Sequence, residues 1–164
     1  MECRSTIGTP TFFKSYKLSN DSFVNLILID TCGQEMAQHC FKLLYKTADC
    51  CLLVYDISNR ESFDYIEKFF IPTIKQYCEN DCKVLLLGNK ADLESKRKVS
   101  EKEGIDLANK YNYMFIETSS LKNENIGKSF EMMIKVLYKL KSEKNKDKSK
   151  QDIINNNNTH CIIN

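Results

Sequence analysis

Tryptophan is absent from the 164 residues, proline and histidine occur twice each, and glycine only five times. The scarcity of glycine excludes most. A phosphate cradle of the form Gly-x-x-x-x-Gly-Lys-Ser/Thr needs two glycines at that spacing, and those present stand at 8, 33, 88, 104 and 127. Two histidines, His39 and His160, are too few to complete zinc sets around eight cysteines. Cys50 and Cys51 lie inside an apolar run. Cys78 and Cys82 stand four apart near a helix end with no third ligand close in sequence, so reduced thiols are expected throughout. No stretch of eighteen apolar residues exists and Met1-Glu-Cys-Arg does not open a signal peptide, so neither a spanning helix nor secretion is expected. With 24 basic and 22 acidic residues there is no broad basic field, and no nucleic-acid partner is expected.

Short apolar runs are what the chain has instead. FVNLILID (23–30), CCLLVYD (50–56) and KVLLLGN (83–89) are nearly continuous, as expected of strands covered on both faces, and each ends in a polar residue. TFFKSYKL before the first of them suggests an antiparallel hairpin, and YMFIE (113–117) a further strand. Ser58 with Glu61, and Ser100 with Glu103, fit capping boxes that open helices. Pro72 should kink or divide the first of these helices. Ile126, Phe130, Met133, Val136, Leu137 and Leu140 form a core-facing stripe on the last one. Strands alternating with helices predict an α/β fold with a mostly parallel sheet.

Ligands of such sheets bind beyond the carboxyl ends of the strands. The polar residues there are Asp30-Thr-Cys-Gly33-Gln34, then Asn89-Lys90-Ala91-Asp92, then Glu117-Thr118-Ser119-Ser120. A fixed carboxylate such as Asp92 accepts both the N1–H and the exocyclic amine of guanine, a pair that adenine does not offer. Read alone, that tetrapeptide is equally a polar turn leaving a strand. Asp-x-x-Gly-Gln has a mechanical reading too. Asp30 holds a Mg²⁺ water, Gly33 lets a backbone N–H approach a phosphate, and Gln34 orients an attacking water.

Taken in order, STIG (5–8), DTCGQE (30–35), LVYDIS with RESF (53–63), LLLGNKADL (85–93), KRKVSEKEG (96–104) and FIETSS (115–120) resemble the small GTPases of the Rab branch of the Ras superfamily. The resemblance covers about residues 4–140. It implies that Thr6 ligates Mg²⁺ from a loop ordered by the γ-phosphate, with GTP or GDP as ligand and Gln34 as catalytic residue. It further implies that Asn89 braces the guanine pocket, Lys90 covers the base and Asp92 reads it, with a backbone N–H of the Ser119–Ser120 loop meeting the guanine oxygen. Leu121 stands where the family carries a lysine, so the base loses a cationic cover. Cys32 replaces the usual alanine of DTAGQE, and Thr9-Pro10-Thr11 and Met36-Ala37 depart from the family's switch sequences. Effectors, exchange factors and GTPase-activating proteins are expected on residues 5–14 and 33–48.

The family's first strand, its glycine-lysine cradle and its first helix have no counterpart here, so the expected fold is a P-loop NTPase-like small GTPase lacking its first central strand. By family topology that strand lies between those ending at Asp30 and Asp56. Its loss should expose two buried strand edges. Two functional readings follow: a GTP-hydrolysing switch of membrane traffic whose full form carries the cradle, or a nucleotide-free interaction module. Residues 1–142 are expected to form the domain. Residues 143–164, lysine-rich and then NNNN, are expected to be a disordered tail. Its final Cys161-Ile-Ile-Asn164 has the form of a prenylation site, which would place the protein in the cytoplasm and peripherally on intracellular membranes, with the lysines as a second signal.

Overall fold

The computed structural model describes residues 10–17, 23–31, 38–78, 82–146 and 158–163. Six strands form one sheet in the order β1-β2-β6-β3-β4-β5: β1 (Thr11–Lys17), β2 (Phe23–Asp30), β3 (Cys50–Asp56), β4 (Lys83–Asn89), β5 (Met114–Glu117) and β6 (Asn158–Ile163). Only the β1–β2 pair is antiparallel. The three apolar runs are strands with the bounds read from sequence, because burial on both faces demands continuous apolar residues.

The helices are α1 (Gln38–Thr47), α2 (Arg60–Tyr65), α3 (Ile71–Tyr77), α4 (Glu101–Tyr111) and α5 (Ile126–Lys146). The capping box at Ser100 and Glu103 is present, but the cap of α2 is Asn59 and not Ser58. Ser58 is drawn instead to Asp56, whose Oδ1 accepts from its N–H at 2.8 Å and its hydroxyl at 2.6 Å. Asn59 is thereby left to accept the N–H groups of Glu61 and Ser62. The backbone stays helical from Arg60 to Tyr77, so Pro72 does not divide the helix; ahead of it the helix widens into a π turn over Ile66–Phe70, which accommodates the missing N–H.

One core lies between the sheet and α2–α4, built on Leu53, Tyr55, Ile66, Ile71 and Leu86. The other lies under α5, where Met133 and Leu137 meet Leu52, Leu85 and Leu87. Ile134, outside the stripe read from sequence, packs on Val24 and Leu26 of β2.

The disordered tail expected over 143–164 is corrected at two places. Helix α5 continues to Lys146, and Asn158–Ile163 form β6, parallel to both β2 and β3. This is the slot that the absent strand would leave open. Composition argued that the tail cannot bury enough by itself; here it borrows two existing strand edges and buries Thr159, Cys161 and Ile162 between them. Asp49 secures the entry, donating N–H to the His160 carbonyl at 3.0 Å and accepting the His160 N–H at 2.9 Å. Lys141 of α5 reaches Thr159 Oγ1 at 3.2 Å. At the far end Thr31 donates through both N–H and hydroxyl to the Ile163 carbonyl, at 3.0 and 2.9 Å. Cys161, expected as a lipid acceptor, is 2 % exposed and in register with Cys50. No prenyl group fits a thiol packed between strands, so the placement of β6 and lipidation of Cys161 are mutually exclusive.

Candidate guanine-binding edge

The carboxyl ends of β3, β4 and β5 bring Asp56, Asn89 and Glu117 to one edge of the sheet. Asn89 is the hub there. Its Oδ1 accepts the Ser120 N–H at 3.2 Å, the Ser120 hydroxyl at 3.1 Å and the Thr118 hydroxyl at 3.3 Å. Its carbonyl accepts the Ile57 N–H. One amide side chain thus ties the loop after β5 to the end of β4.

Lys90 takes a left-handed backbone conformation, φ 63°, which turns the chain sharply into the 3₁₀ turn over Ala91–Lys96. Its Nζ lies 2.6 Å from the Asp56 carboxylate. Partial burial works against ionisation of Asp56, and the Lys90 ammonium with the two Ser58 hydrogen bonds outweighs it, holding the carboxyl below its ordinary range. Asp92, inside the turn, accepts the Ser119 hydroxyl at 2.5 Å. Ser119 is fully buried and its oxygen accepts the Lys122 N–H at 3.1 Å. The loop closes through a Ser119–Glu124 bridge, with Asn123 and Asn125 at positive φ. Leu121 at its tip is 83 % exposed, an aliphatic surface that no described residue covers.

Sequence reasoning missed Arg97. Its guanidinium spans Glu117 with two bonds, at 2.6 and 2.8 Å, also grips Glu94, and donates to the Val99 carbonyl at 3.0 Å. Glu117 first and Glu94 second push the guanidinium above its ordinary value. The pair is largely buried, with Glu117 two residues ahead of Ser119 in the chain. KRKV followed by an acidic strand end was legible as a motif, but which carboxylate the arginine meets depends on β5 lying beside β4.

Thr6, Gly33 and Gln34 lie outside the described residues. Asp30 closes β2, its N–H donating to the Pro10 carbonyl at 3.1 Å. The structure therefore brings Asn89, Lys90, Asp92, Ser119, Ser120 and Leu121 together at one edge of the sheet, with Asp30 at the end of a strand farther along it, beyond β6.

The Ras family model matches residues 1–139. The chain belongs to the Ras family. Within it the chain is a Rab-like small GTPase, as three relatives make plain. It is 38 % identical to the Ras-related protein Rab-11B of Dictyostelium discoideum, over 97 % of this chain and 70 % of that protein. It is 36 % identical to Rab-2B of the same organism, over 84 % and 67 %. It is 38 % identical to Rab-15 of Homo sapiens, over 77 % and 58 %. The chain spans about two-thirds or less of the length of most such relatives. Ras-family proteins in general work with guanine nucleotide and Mg²⁺.

Proposed function

We propose that the chain carries the base-reading half of a Rab-like GTP switch, with hydrolysis of GTP as its reaction and membrane-traffic regulation as its role. The observation that carries this is the Asn89–Ser120–Ser119–Asp92 array. Four residues from two strand ends are locked together: Asn89 Oδ1 accepts the Ser120 N–H and hydroxyl, and Asp92 accepts the Ser119 hydroxyl, which holds that carboxylate at one edge of the sheet. Asp92 accepts from N1–H and the exocyclic amine of guanine, Leu121 covers one face of the ring, and Arg97 through Glu117 stiffens the loop beneath. Gln34 positions the water, and Gly33, Thr6 and Asp30 serve the phosphate and magnesium side. The 164 residues contain no glycine-lysine cradle, the part that supplies most phosphate binding in such switches. Phe12 and Phe13 on edge strand β1 and Leu43 on α1 are exposed apolar side chains within the stretches proposed to meet effectors and regulators.

A second reading, a nucleotide-free interaction module, is favoured by β6 alone, since this strand fills the slot from which a phosphate loop would spring. The two separate in one experiment. Guanine-nucleotide affinity is measured for this chain and for a form extended by a first strand and cradle, each with Asp92→Asn. The switch reading expects the extended form to bind GDP tightly and Asp92→Asn to shift its preference toward xanthosine diphosphate. An extended form that stays empty supports the module.

A further inference from the structure

At the opposite edge of the sheet, the amino ends of β3 and β4, three cysteines from distant parts of the chain meet. Cys51 Sγ lies 3.8 Å from Cys78 Sγ and 3.7 Å from Cys82 Sγ, and all three sulfurs fall within 4.8 Å of one another. Cys51 is the second residue of β3, Cys78 ends α3, and Cys82 directly precedes β4. In sequence Cys78 and Cys82 lacked a third ligand; the fold delivers it from 27 residues upstream of Cys78. We propose that Cys51, Cys78 and Cys82 form a binding site for one thiophilic divalent ion of the zinc class, separate from the nucleotide edge.

Three observations carry this. The first is spacing: sulfurs bound at about 2.3 Å around a tetrahedral ion lie about 3.8 Å apart, so little movement is needed. The second is access. Cys51 is fully buried, while Cys78 and Cys82 line a cavity of about 510 Å³, so three sulfurs hold the ion and its fourth position faces the cavity. The third is charge. Three thiolates around a divalent ion leave one net negative charge, and Lys75 and Lys83 line the same cavity. Each thiol passes its proton to solvent as its sulfur bonds the ion. Five residues of β3, about 16 Å at 3.3 Å each, separate Cys51 from Asp56, so the ion does not touch the guanine side. Bound there, it staples the end of α3 to the amino ends of two central strands.

The test uses the reduced full chain and two probes. Co²⁺ titration should give one ion per chain, with sulfur-to-cobalt charge-transfer absorption and tetrahedral ligand-field bands that Zn²⁺ abolishes. Zn²⁺ at 100 times its Kd should slow alkylation of Cys78 and Cys82 about 100-fold, read peptide by peptide by mass spectrometry. The Cys3→Ser, Cys32→Ser, Cys40→Ser chain should retain the cobalt spectrum, and adding Cys78→Ser with Cys82→Ser should remove it. A folded chain with no charge-transfer band overturns the proposal, as does a band that survives the last two substitutions. Because the alkylation arm uses the unsubstituted chain, unchanged rates with Zn²⁺ overturn it even where the variants fail to fold.

Discussion

Tyr55 is the most constrained side chain in the core. Its ring lies edge-on to Phe63, and its hydroxyl is buried without a hydrogen-bond partner among the described residues. Burial first, and the Glu117 carboxylate second, push the phenol above its ordinary value. Two glycines make room for it: a Cβ on Gly88 would stand 2.9 Å from the hydroxyl, and one on Gly104 2.6 Å from it and 2.5 Å from the Phe115 ring. Tyr55→Phe should therefore stabilise, by about 1 kcal/mol, because it deletes an unsatisfied polar group. Gly104→Ala should destabilise by about 1–3 kcal/mol. The double variant should not recover fully, since the Phe115 contact remains. Urea midpoints at constant slope measure all three, and a Tyr55→Phe midpoint below that of the parent would show that the hydroxyl has a partner.

At the same scale, Arg97 divides two acidic partners by burial. Glu117 is 13 % exposed and Glu94 70 % exposed. Glu117→Ala should cost about 2–3 kcal/mol and loosen the Ser119–Ser120 loop, seen as faster amide exchange there. Glu94→Ala should leave the urea midpoint nearly unchanged, because the exposed pair is screened by solvent. Equal losses from the two would contradict the assignment of Glu117 as the anchor.

Among the elements, β6 has the largest consequences. Without it, β2 loses its partner over Asn25–Asp30 and β3 over Cys50–Leu52, leaving buried N–H and carbonyl groups unpaired. Truncation after residue 157 should abolish cooperative unfolding and bring aggregation through the open edges. Ile162→Ala, at a fully buried site, should cost about 2–5 kcal/mol, against little change for a substitution of exposed Lys139. A soluble, cooperatively melting truncation would mean that β2 and β3 close on each other. The strand was hidden in the sequence for a physical reason. THCII is too short and too isolated by NNNN to declare itself, and its burial depends wholly on a slot built by strands more than 100 residues away. The α2 cap went astray for a related reason, since the pull of Asp56 on Ser58 is visible only once the strand end is in place.

Over the whole molecule, acid should act through its ion pairs. Glu103, bound by Arg60 first and then by the Ser100 N–H and hydroxyl, is held down to about 2 from an ordinary 4.5. Glu67 beside Lys110, Asp56 beside Lys90, and Glu94 beside Arg97 are lowered as well. A carboxyl whose folded value is depressed binds protons more readily when unfolded, so its contribution is complete above about 4.5 and fades as pH falls toward 2. Stability should decline over that window. Glu103→Gln, which preserves the capping box, should flatten the decline while changing stability at neutral pH by less than about 1 kcal/mol, because the pair is well exposed. Thermal melts of both proteins across the window check it; identical slopes would remove Glu103 from the acid response.

Sequence by itself determined five of the six described strands, the capping box of α4, the family and which polar residues stand at the strand ends. Those features rest on local physics: continuous apolar runs for strands covered on both faces, capping chemistry, and polar residues that can only emerge at strand ends. Tertiary structure alone decided what fills the centre of the sheet, that Arg97 meets Glu117, that Cys161 is buried and that Cys51 joins Cys78 and Cys82. Each of these is a meeting of segments far apart in the chain, and which far segments meet is set by strand order and by the edges left to be paired, quantities that no local pattern carries.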